Sequence, residues 1–233
     1  MYKNHHITVI IPAYNEEDSI GLVVDGLPKD VVSRVIVVDN ASTDRTKETA
    51  LRHGALAVTE PEPGYGSACL KGISTVDKTD IVVFIDGDYS DYPEGIVELV
   101  DPIIEKGYDF VISSRQSKKI EKGSMTLPQR WGTLLAVRLV EMLYDYRYSD
   151  MGPFRAIRHD KLLELGMTDR TYGWTIEMQI KALQHGLKIK EVPLPYRKRI
   201  GTSKISGTIK GVINAGCKII WTIFKMRFFL CRK

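Results

Sequence analysis

Runs of apolar, β-branched residues recur through the first half of the chain, and segments of helical length separate them. The runs ITVIIP, VSRVIVVD, ALAVTE, TDIVVFID and YDFVISSR all fall within residues 7–115. Strands of this composition are buried on both faces, and helical connections of roughly 10–15 residues join parallel strands. The chain is therefore predicted to be an α/β protein with a mostly parallel sheet flanked by helices.

The pattern changes after Met125. Amphipathic helices are predicted over residues 130–146 and 170–186, and the two prolines in residues 187–199 predict an edge strand there. A final helix of apolar and basic residues follows Gly207. The second half is therefore expected to add helices and one edge strand to the sheet.

Polar residues follow directly on four of the predicted strands, at residues 14–16, 39–40, 86–88 and 114–115. Ligands of open parallel sheets bind outside the carboxyl ends of the strands. These four groups are therefore expected to converge on one site. The alternative is that they are ordinary polar residues of loops.

The most specific of these groups is the pair Asp86 and Asp88, which ends a fully apolar run. Two carboxylates at a strand end can hold Mg²⁺ or Mn²⁺, which commonly bridges to the phosphates of a substrate. Gly87 between them leaves room for a nucleotide to approach the backbone. Taken alone, the pair fits a solvated turn better than a metal site, and only its context favours the metal.

Charge is distributed unevenly along the chain. Residues 188–233 contain 12 Lys and Arg against one acid, a net charge of +11, so the rest of the chain carries −7. In the final helix Lys210, Lys218 and Lys225 lie on one face, with apolar residues opposite. Such a helix is typical of segments that lie on an anionic membrane. The alternative is that it packs on the enzyme itself or on a dimer partner.

The cysteines and the apolar runs bear on the compartment. Cys69, Cys217 and Cys231 are odd in number and widely spaced, which fits neither a disulfide framework nor a metal site. The N-terminal apolar run is short for a secretory signal, and no run reaches about 18 apolar residues. A cytoplasmic protein, peripheral on the cytoplasmic face of a membrane, is expected.

Several motifs carry a resemblance to a known family. PAYNEE, VVDNASTD and FIDGD resemble the family 2 glycosyltransferases, which have the GT-A fold. DMGPFRAIR, WTIEMQIKA and EVPLPYRKRIGTSK resemble the dolichyl- or polyprenyl-phosphate mannose synthase branch. The resemblance covers residues 7–207 and implies a GT-A catalytic domain over 1–207. Its nucleotide half would span about 1–115 and its acceptor half about 116–207, followed by the amphipathic helix at 208–233.

The resemblance also implies roles for individual residues. The metal, Mg²⁺ or Mn²⁺, would be held by Asp86 and Asp88, with Ser90 as a further ligand. The residues implied to bind the nucleotide-sugar donor are Pro12, Ala13, Tyr14, Glu16, Asp39, Gly66, Asp86, Gly87, Arg115, Arg199, Ser203 and Lys204. Family members often carry an arginine three residues before the glycine of the basic loop. Here Lys198 holds that position and Arg199 follows it, so which of the two acts is open.

The acceptor determines which further residues are needed. A hydroxyl acceptor requires a general base, for which Asp150 and Glu177 are candidates beside Asp88 in the predicted catalytic set. A phosphate acceptor is already ionised and requires cations instead, for which Arg115, Arg130 and Arg155 are candidates. Glu177 as a helix-surface acid, and Arg155 as a structural partner of Asp150, are the simpler alternatives.

The sequence predicts an inverting, metal-dependent transferase that uses a UDP- or GDP-sugar, preferably with a polyprenyl or dolichyl phosphate as acceptor. A soluble or lipid hydroxyl acceptor is the alternative. A sugar nucleotidyltransferase is less favoured because PAYNEE occupies the place of its glycine-rich phosphate loop. The acid pair argues against a non-catalytic membrane-binding module, and no nucleic acid beyond the nucleotide is expected.

Overall fold

A computed structural model of the chain describes residues 1–115, 120–201 and 209–229. Its strands are β1 (Ile7–Ala13), β2 (Arg34–Asp39), β3 (Leu56–Thr59), β4 (Ile81–Phe84), β5 (Phe110–Ser114), β6 (Arg155–Arg158) and β7 (Ile189–Pro193). Its α-helices are α1 (Ile20–Gly26), α2 (Thr46–Arg52), α3 (Tyr65–Thr75), α4 (Ile96–Lys106), α5 (Leu127–Tyr144), α6 (His159–Leu165), α7 (Trp174–Gln184) and α8 (Ile209–Phe228). A 3-10 turn at Pro93–Gly95 precedes α4.

The seven strands form one sheet in the order β3-β2-β1-β4-β6-β5-β7. Strand β6 is antiparallel to both of its neighbours, and the other six strands run parallel. The predicted mostly parallel sheet flanked by helices is confirmed, with β7 at the predicted edge. The sequence did not predict β6, because RAIR is only four residues long and begins and ends on arginine.

Alternating side chains of the strands fill a core on each face of the sheet. Residues such as Ile10, Phe84 and Ile112 point toward α3, α5, α7 and α8. The intervening residues, such as Ile11 and Val83, point toward α1, α2 and α4. Because both faces are covered, the strands read as continuous apolar runs.

Helix α8 packs with one face against α5 and α7. Its Ile223 and Met226 belong to the core, and the Tyr144 hydroxyl donates a 3.0 Å hydrogen bond to the Ile223 carbonyl. Its outer face exposes apolar side chains that include Trp221 and Phe228. Among the described residues, no helix is both long enough and apolar enough to cross a membrane.

Candidate active site

A cavity of about 380 Å³ lies at the carboxyl ends of β1, β2 and β4. We call it the strand-end cavity. The predicted site residues that line it are Pro12, Ala13, Tyr14, Glu16, Asp86, Gly87, Asp88 and Arg199. Strained backbone surrounds it, since Asn15, Ala41 and Tyr89 in the loops after these strands have positive φ angles of 52°, 60° and 61°. Ser203 and Lys204 lie outside the described residues.

The acid pair is fixed by hydrogen bonds within this cavity. The Tyr65 hydroxyl donates to Asp86 Oδ1 at 3.0 Å, while the backbone N–H and hydroxyl of Ser90 donate to Asp88 Oδ1 at 2.9 and 2.6 Å. Ser90 therefore orients Asp88. Arg199 completes the arrangement, with Nη1 3.2 Å from Asp88 Oδ2 and Nη2 2.8 Å from Glu16 Oε1.

The acids in this region carry more negative charge than their surroundings neutralise. Burial and the nearby charge of Asp88 raise the pKa of Asp86 to about 7, against the opposing effects of Tyr65, Arg199 and Arg115. Burial, followed by the charges of Asp86 and Asp88, raises the pKa of Asp91 well above its usual range. The buried Asp91 Oδ2 has no hydrogen-bond partner among the described residues. A bound cation would relieve this repulsion.

Asp86 and Asp88 fit a hard divalent ion, because both offer carboxylate oxygen at the wall of an open cavity. In the described part of the chain, no cluster of three or more His, Cys, Asp or Glu side chains could hold a metal. Mg²⁺ and Mn²⁺ sites of this kind complete their coordination with water and substrate phosphates. The residues therefore fit a metal that binds together with a phosphorylated ligand.

Asn40, which the sequence analysis placed among the strand-end polar residues without a role of its own, shapes the rim of the cavity. Its amide donates to the carbonyls of Glu60 and Glu62 at 3.0 and 2.8 Å and accepts from the Gly64 N–H at 2.8 Å. The neighbouring Asp39 ends β2 without lining the cavity. Its Oδ1 atom is buried and has no hydrogen-bond partner among the described residues.

The start of α3 is packed closely against residues 169–172. A Cβ atom on Gly66 would collide with the Asp169 carbonyl, and one on Gly64, at φ +152°, with the Arg170 carbonyl. The Ser67 N–H donates to the same Arg170 carbonyl at 2.9 Å. Gly66 therefore permits this close approach, which places Tyr172 in the wall of the strand-end cavity. Tyr172 was missed because no local sequence signal marks a contact between segments about 100 residues apart.

The segment after β7 holds Arg199 in place. The Arg197 guanidinium lies 3.4 Å from the ring centroid of Tyr89 and 4.0 Å from that of Tyr92. Backbone N–H groups of Arg197 and Ile200 donate to the carbonyls of Ser90 and Asp88 at 2.9 and 3.0 Å. This pairing brings Arg199 to the acid pair.

Lys198 points elsewhere in the same segment. Its Nζ atom lies 3.8 Å from Glu121 Oε1, and its backbone N–H donates to Glu121 Oε2 at 2.8 Å. Between the two residues that the sequence left open, the structure therefore places Arg199 at the acid pair.

A second cavity, of about 620 Å³, lies beside α5. We call it the arginine cavity. Its cationic lining residues are Arg115, Lys122, Arg130, Arg138 and Arg147. Its apolar lining residues are Ile120, Met125, Leu134 and Val137. The predicted Arg130 thus lies in this cavity, and so does Arg115, which does not line the strand-end cavity.

Arg115 and Asp150 form a buried bidentate ion pair at the wall of the arginine cavity. Arg115 Nε lies 2.7 Å from Asp150 Oδ2 and Nη2 lies 2.8 Å from Oδ1, with the guanidinium 5.4 Å from the Tyr196 ring centroid. Burial acts to raise the pKa of Asp150, but the charge and hydrogen bonds of Arg115 outweigh it and lower the pKa. Asp150 is thus held ionised and is a weak proton acceptor.

Glu177 and Arg155 line neither cavity. Glu177 accepts from the backbone N–H groups of Thr168 and Asp169 at 3.0 and 2.7 Å and pairs with Lys181 at 2.8 Å. Arg155 is buried and donates to backbone carbonyls, including that of Thr175 at 3.1 Å. Burial lowers the pKa of its guanidinium. These contacts are structural, and the catalytic and acceptor roles of the two residues stay predictions.

The family model of glycosyl transferase family 2 matches residues 8–166. The chain belongs to this family. The glycosyltransferase is 36% identical over 214 residues to an uncharacterised glycosyltransferase of Mycobacterium tuberculosis, covering 90% of this chain and 94% of that one. It is 33% identical over 209 residues to a dolichyl-phosphate hexose transferase of Haloferax volcanii, covering 88% of each.

A solved structure of M. tuberculosis glucosyl-3-phosphoglycerate synthase has the same fold. The glycosyltransferase superposes on it with a TM-score of 0.79 at 25% identity, covering 97% of this chain and 81% of that one. That protein was crystallised with Mn²⁺, uridine diphosphate and glucosyl-3-phosphoglycerate. The predicted family, enzyme class and GT-A fold are confirmed.

Proposed function

We propose that this glycosyltransferase moves a sugar, with inversion, from a nucleotide-diphosphate sugar to a phosphate-bearing acceptor, preferably a polyprenyl phosphate. The observation that carries the proposal is the presence of two cavities that differ in their charged side chains. One presents an acid pair with an arginine, and the other presents five cationic side chains. Between the acid pair and Arg115 lies Tyr196, which forms a β-bridge with Asp91, three residues after Asp88, and contacts the Arg115 guanidinium with its ring.

The strand-end cavity is proposed to bind the donor. Asp86 and Asp88 would hold Mg²⁺ or Mn²⁺ with the diphosphate, and Asp39 is proposed to accept a hydrogen bond from the nucleoside. The metal would stabilise the negative charge that develops on the departing nucleotide. Arg199, which already lies between Asp88 and Glu16, is placed to contribute a second positive charge to the same oxygens. The solved relative with Mn²⁺ and uridine diphosphate supports this assignment.

The arginine cavity is proposed to bind the phosphate of the acceptor. An ionised phosphate oxygen can attack the anomeric carbon without a general base, so it needs cations that orient it. The ion pair with Asp150 fixes the Arg115 guanidinium in one orientation at the cavity wall. Arg130 and Arg138 of α5 line the same cavity. A phosphate acceptor accords with the engagement of both Asp150 and Glu177 in other contacts.

A lipid acceptor is supported by the outer surface of α5. Leu127, Trp131, Leu135 and Met142 follow helical spacing and are all exposed, with Trp131 at 69%. The adjoining Leu134 is exposed and also lines the arginine cavity. An apolar face bordered by arginines suits an anionic membrane surface. The dolichyl-phosphate relative supports the same acceptor class, and we propose a peripheral location on the cytoplasmic face of a membrane.

A soluble phosphorylated hydroxyl compound is the second candidate acceptor. The solved relative that carries glucosyl-3-phosphoglycerate favours it, and the same cations would bind a carboxylate or phosphate of such a compound. This reaction would need a proton acceptor. The bidentate pairing of Asp150 with Arg115 makes Asp150 poorly suited to that step, so the lipid phosphate is preferred.

The test is a transfer assay with purified enzyme and Mn²⁺. UDP- and GDP-sugars labelled in the sugar are offered with either polyprenyl phosphate in detergent or 3-phosphoglycerate, and the products are separated into organic and aqueous phases. Label in the organic phase supports the proposal. Label confined to an aqueous sugar–phosphoglycerate product replaces it with the second candidate. Absence of metal-dependent binding of any UDP- or GDP-sugar would refute the donor assignment itself.

A further inference from the structure

An ion pair links helix α8 to the turn that lines the strand-end cavity. We propose that Lys218 of α8 is a positioning residue for the strand-end cavity, acting through Asp169 and the turn that carries Tyr172. The inference rests on the proposed donor function of that cavity. It gives α8 a part in substrate binding that is distinct from any contact with a membrane.

The ion pair joins a helix to a turn. Lys218 Nζ lies 2.8 Å from Asp169 Oδ2, whose side chain is only 9% exposed. Burial acts to raise the pKa of Asp169, but the hydrogen bond from Lys218 helps to lower it. The carboxylate therefore stays charged, and loss of the lysine would leave a largely desolvated charge without its counter-ion.

The other oxygen of the same carboxylate organises the turn. Asp169 Oδ1 accepts from the Thr171 N–H at 2.8 Å, from the Thr171 hydroxyl at 3.1 Å and from the Gly173 N–H at 3.2 Å. One carboxylate thus spans the chain on both sides of Tyr172. Its position is set from the opposite side by Lys218.

Helix α8 also fits tightly against the end of this turn. A Cβ atom on Gly173 would lie 2.7 Å from Thr222 Oγ1 of α8 and 2.5 Å from Asp169 Oδ2. Thr222 is buried, and its hydroxyl donates to the Lys218 carbonyl at 2.8 Å. Helix α8 is therefore closely packed against this turn.

This same turn forms part of the wall of the strand-end cavity. The Arg170 carbonyl accepts from Ser67 N–H at the start of α3, and the Arg170 guanidinium pairs with Glu62 of the loop before it. Tyr172 lines the strand-end cavity. A continuous series of contacts therefore runs from Lys218 through Asp169 to the wall that a nucleotide would touch.

The experiment measures nucleotide affinity by calorimetry with Mn²⁺ and whichever of UDP and GDP the wild-type enzyme binds. Lys218→Met and Asp169→Asn should each raise the Kd about 5- to 10-fold, a coupling of ordinary size between two linked sites. Lys218→Arg should restore most of the affinity. Lys225→Met, at an exposed position two turns further along α8, is the matched control and should bind like wild type.

Two readouts separate positioning from general damage to the fold. The KM for the donor should rise while the KM for the acceptor stays unchanged, because the turn does not line the arginine cavity. In a Tyr172→Ala background, Lys218→Met should cause little further loss of nucleotide affinity, since both act through the same wall. All affinities are measured well below the melting temperature of each variant.

Wild-type affinity in Lys218→Met and Asp169→Asn would overturn the inference. So would fully additive losses with Tyr172→Ala, because these would show that the ion pair acts by another route. A wild-type enzyme that binds neither nucleotide would instead refute the proposed donor function. Loss in Lys218→Met with recovery in Lys218→Arg supports the inference, even if Asp169→Asn fails to fold.

Discussion

In the strand-end cavity, hydrogen bonds and ion pairs hold the charged side chains in place. Most cationic side chains of the arginine cavity are exposed to solvent instead. Asp86, Asp88 and Arg199 are each held by hydrogen bonds or ion pairs from strands and loops. Arg130 and Arg138 project from one face of α5 at its surface. The proposed donor site is therefore held in one arrangement, which suits a diphosphate of fixed shape, whereas the exposed arginines of the proposed acceptor site can adjust to their ligand.

The largest effect should come from the acid pair. Asp88→Asn is expected to reduce transfer by roughly 100- to 1000-fold. The divalent metal ion that would stabilise the negative charge on the leaving nucleotide would lose one of its carboxylate ligands. Metal-dependent binding of nucleotide should weaken in parallel, measured by calorimetry. A melting temperature of the metal-free protein at or above the wild-type value shows that the fold is intact. Full activity in this variant would contradict the metal assignment.

The second effect concerns pH. Asp86 has a folded-state pKa of about 7 against an ordinary value of 3.8, so the native state binds more protons than the unfolded state between these values. The free energy of unfolding of the metal-free protein should therefore fall as pH rises from about 4 to 7. Asp86→Asn should stabilise the metal-free protein at about pH 8 by on the order of 2 kcal/mol, since it removes a buried charge and the repulsion between that charge and Asp88.

The measurement is denaturant unfolding of both proteins in chelator at about pH 5 and about pH 8. The stabilisation by Asp86→Asn should shrink at the lower pH, where Asp86 of the wild type is protonated. Metal-dependent nucleotide binding by the wild type should strengthen with rising pH over the same interval. Equal stabilisation at both pH values would contradict the assigned titration.

The third effect tests the arginine cavity. Arg130→Met and Arg138→Met should each raise the KM for a phosphate acceptor about tenfold, the effect of losing one charge-assisted hydrogen bond. The affinity for the donor nucleotide should not change. Arg34→Met is the control, since Arg34 is exposed at the start of β2, at the opposite end of that strand from the strand-end cavity. A rise in donor Kd with unchanged acceptor KM would reverse the proposed division between the cavities.

The smallest effect concerns the apolar face of α5. Trp131→Ser and Leu135→Ser should each weaken binding to vesicles that contain anionic lipid by about fivefold, as expected for partial burial of one large side chain. Leu163→Ser on α6, which is also exposed, serves as the control. Co-sedimentation with vesicles is the measurement. Undiminished binding of both variants would argue against this face as the membrane contact.

The acid pair and the first loop could be predicted because short local motifs carry them. FIDGD and PAYNEE each follow a recognisable apolar strand, and the parallel sheet brings their ends together. Arg115 follows a strand by the same pattern, but β6 lies between β4 and β5. Two strand spacings amount to about 10 Å, so Arg115 lies beside the second cavity rather than at the acid pair.

The residues that the sequence did not indicate depend on contacts between distant segments. Tyr172 reaches the strand-end cavity because Gly64 and Gly66, about 100 positions earlier, allow its turn to approach α3. The pairing of Asp150 with Arg115 likewise joins two loops that follow different elements. No periodicity or local motif encodes such pairs, since each depends on how the helices pack over the sheet.

The reversed strand β6 also has a consequence for the order in which the protein can fold during synthesis. Strand β4, which carries the acid pair, lies between β1 and β6, with Val82 opposite Ile157 and Phe84 opposite Arg155. Until residues 155–158 have left the ribosome, one side of β4 is an unpaired, fully apolar edge. The sheet formed by residues 7–115 is therefore completed by a strand synthesised some 70 residues after β4, so both halves of the chain contribute to one sheet.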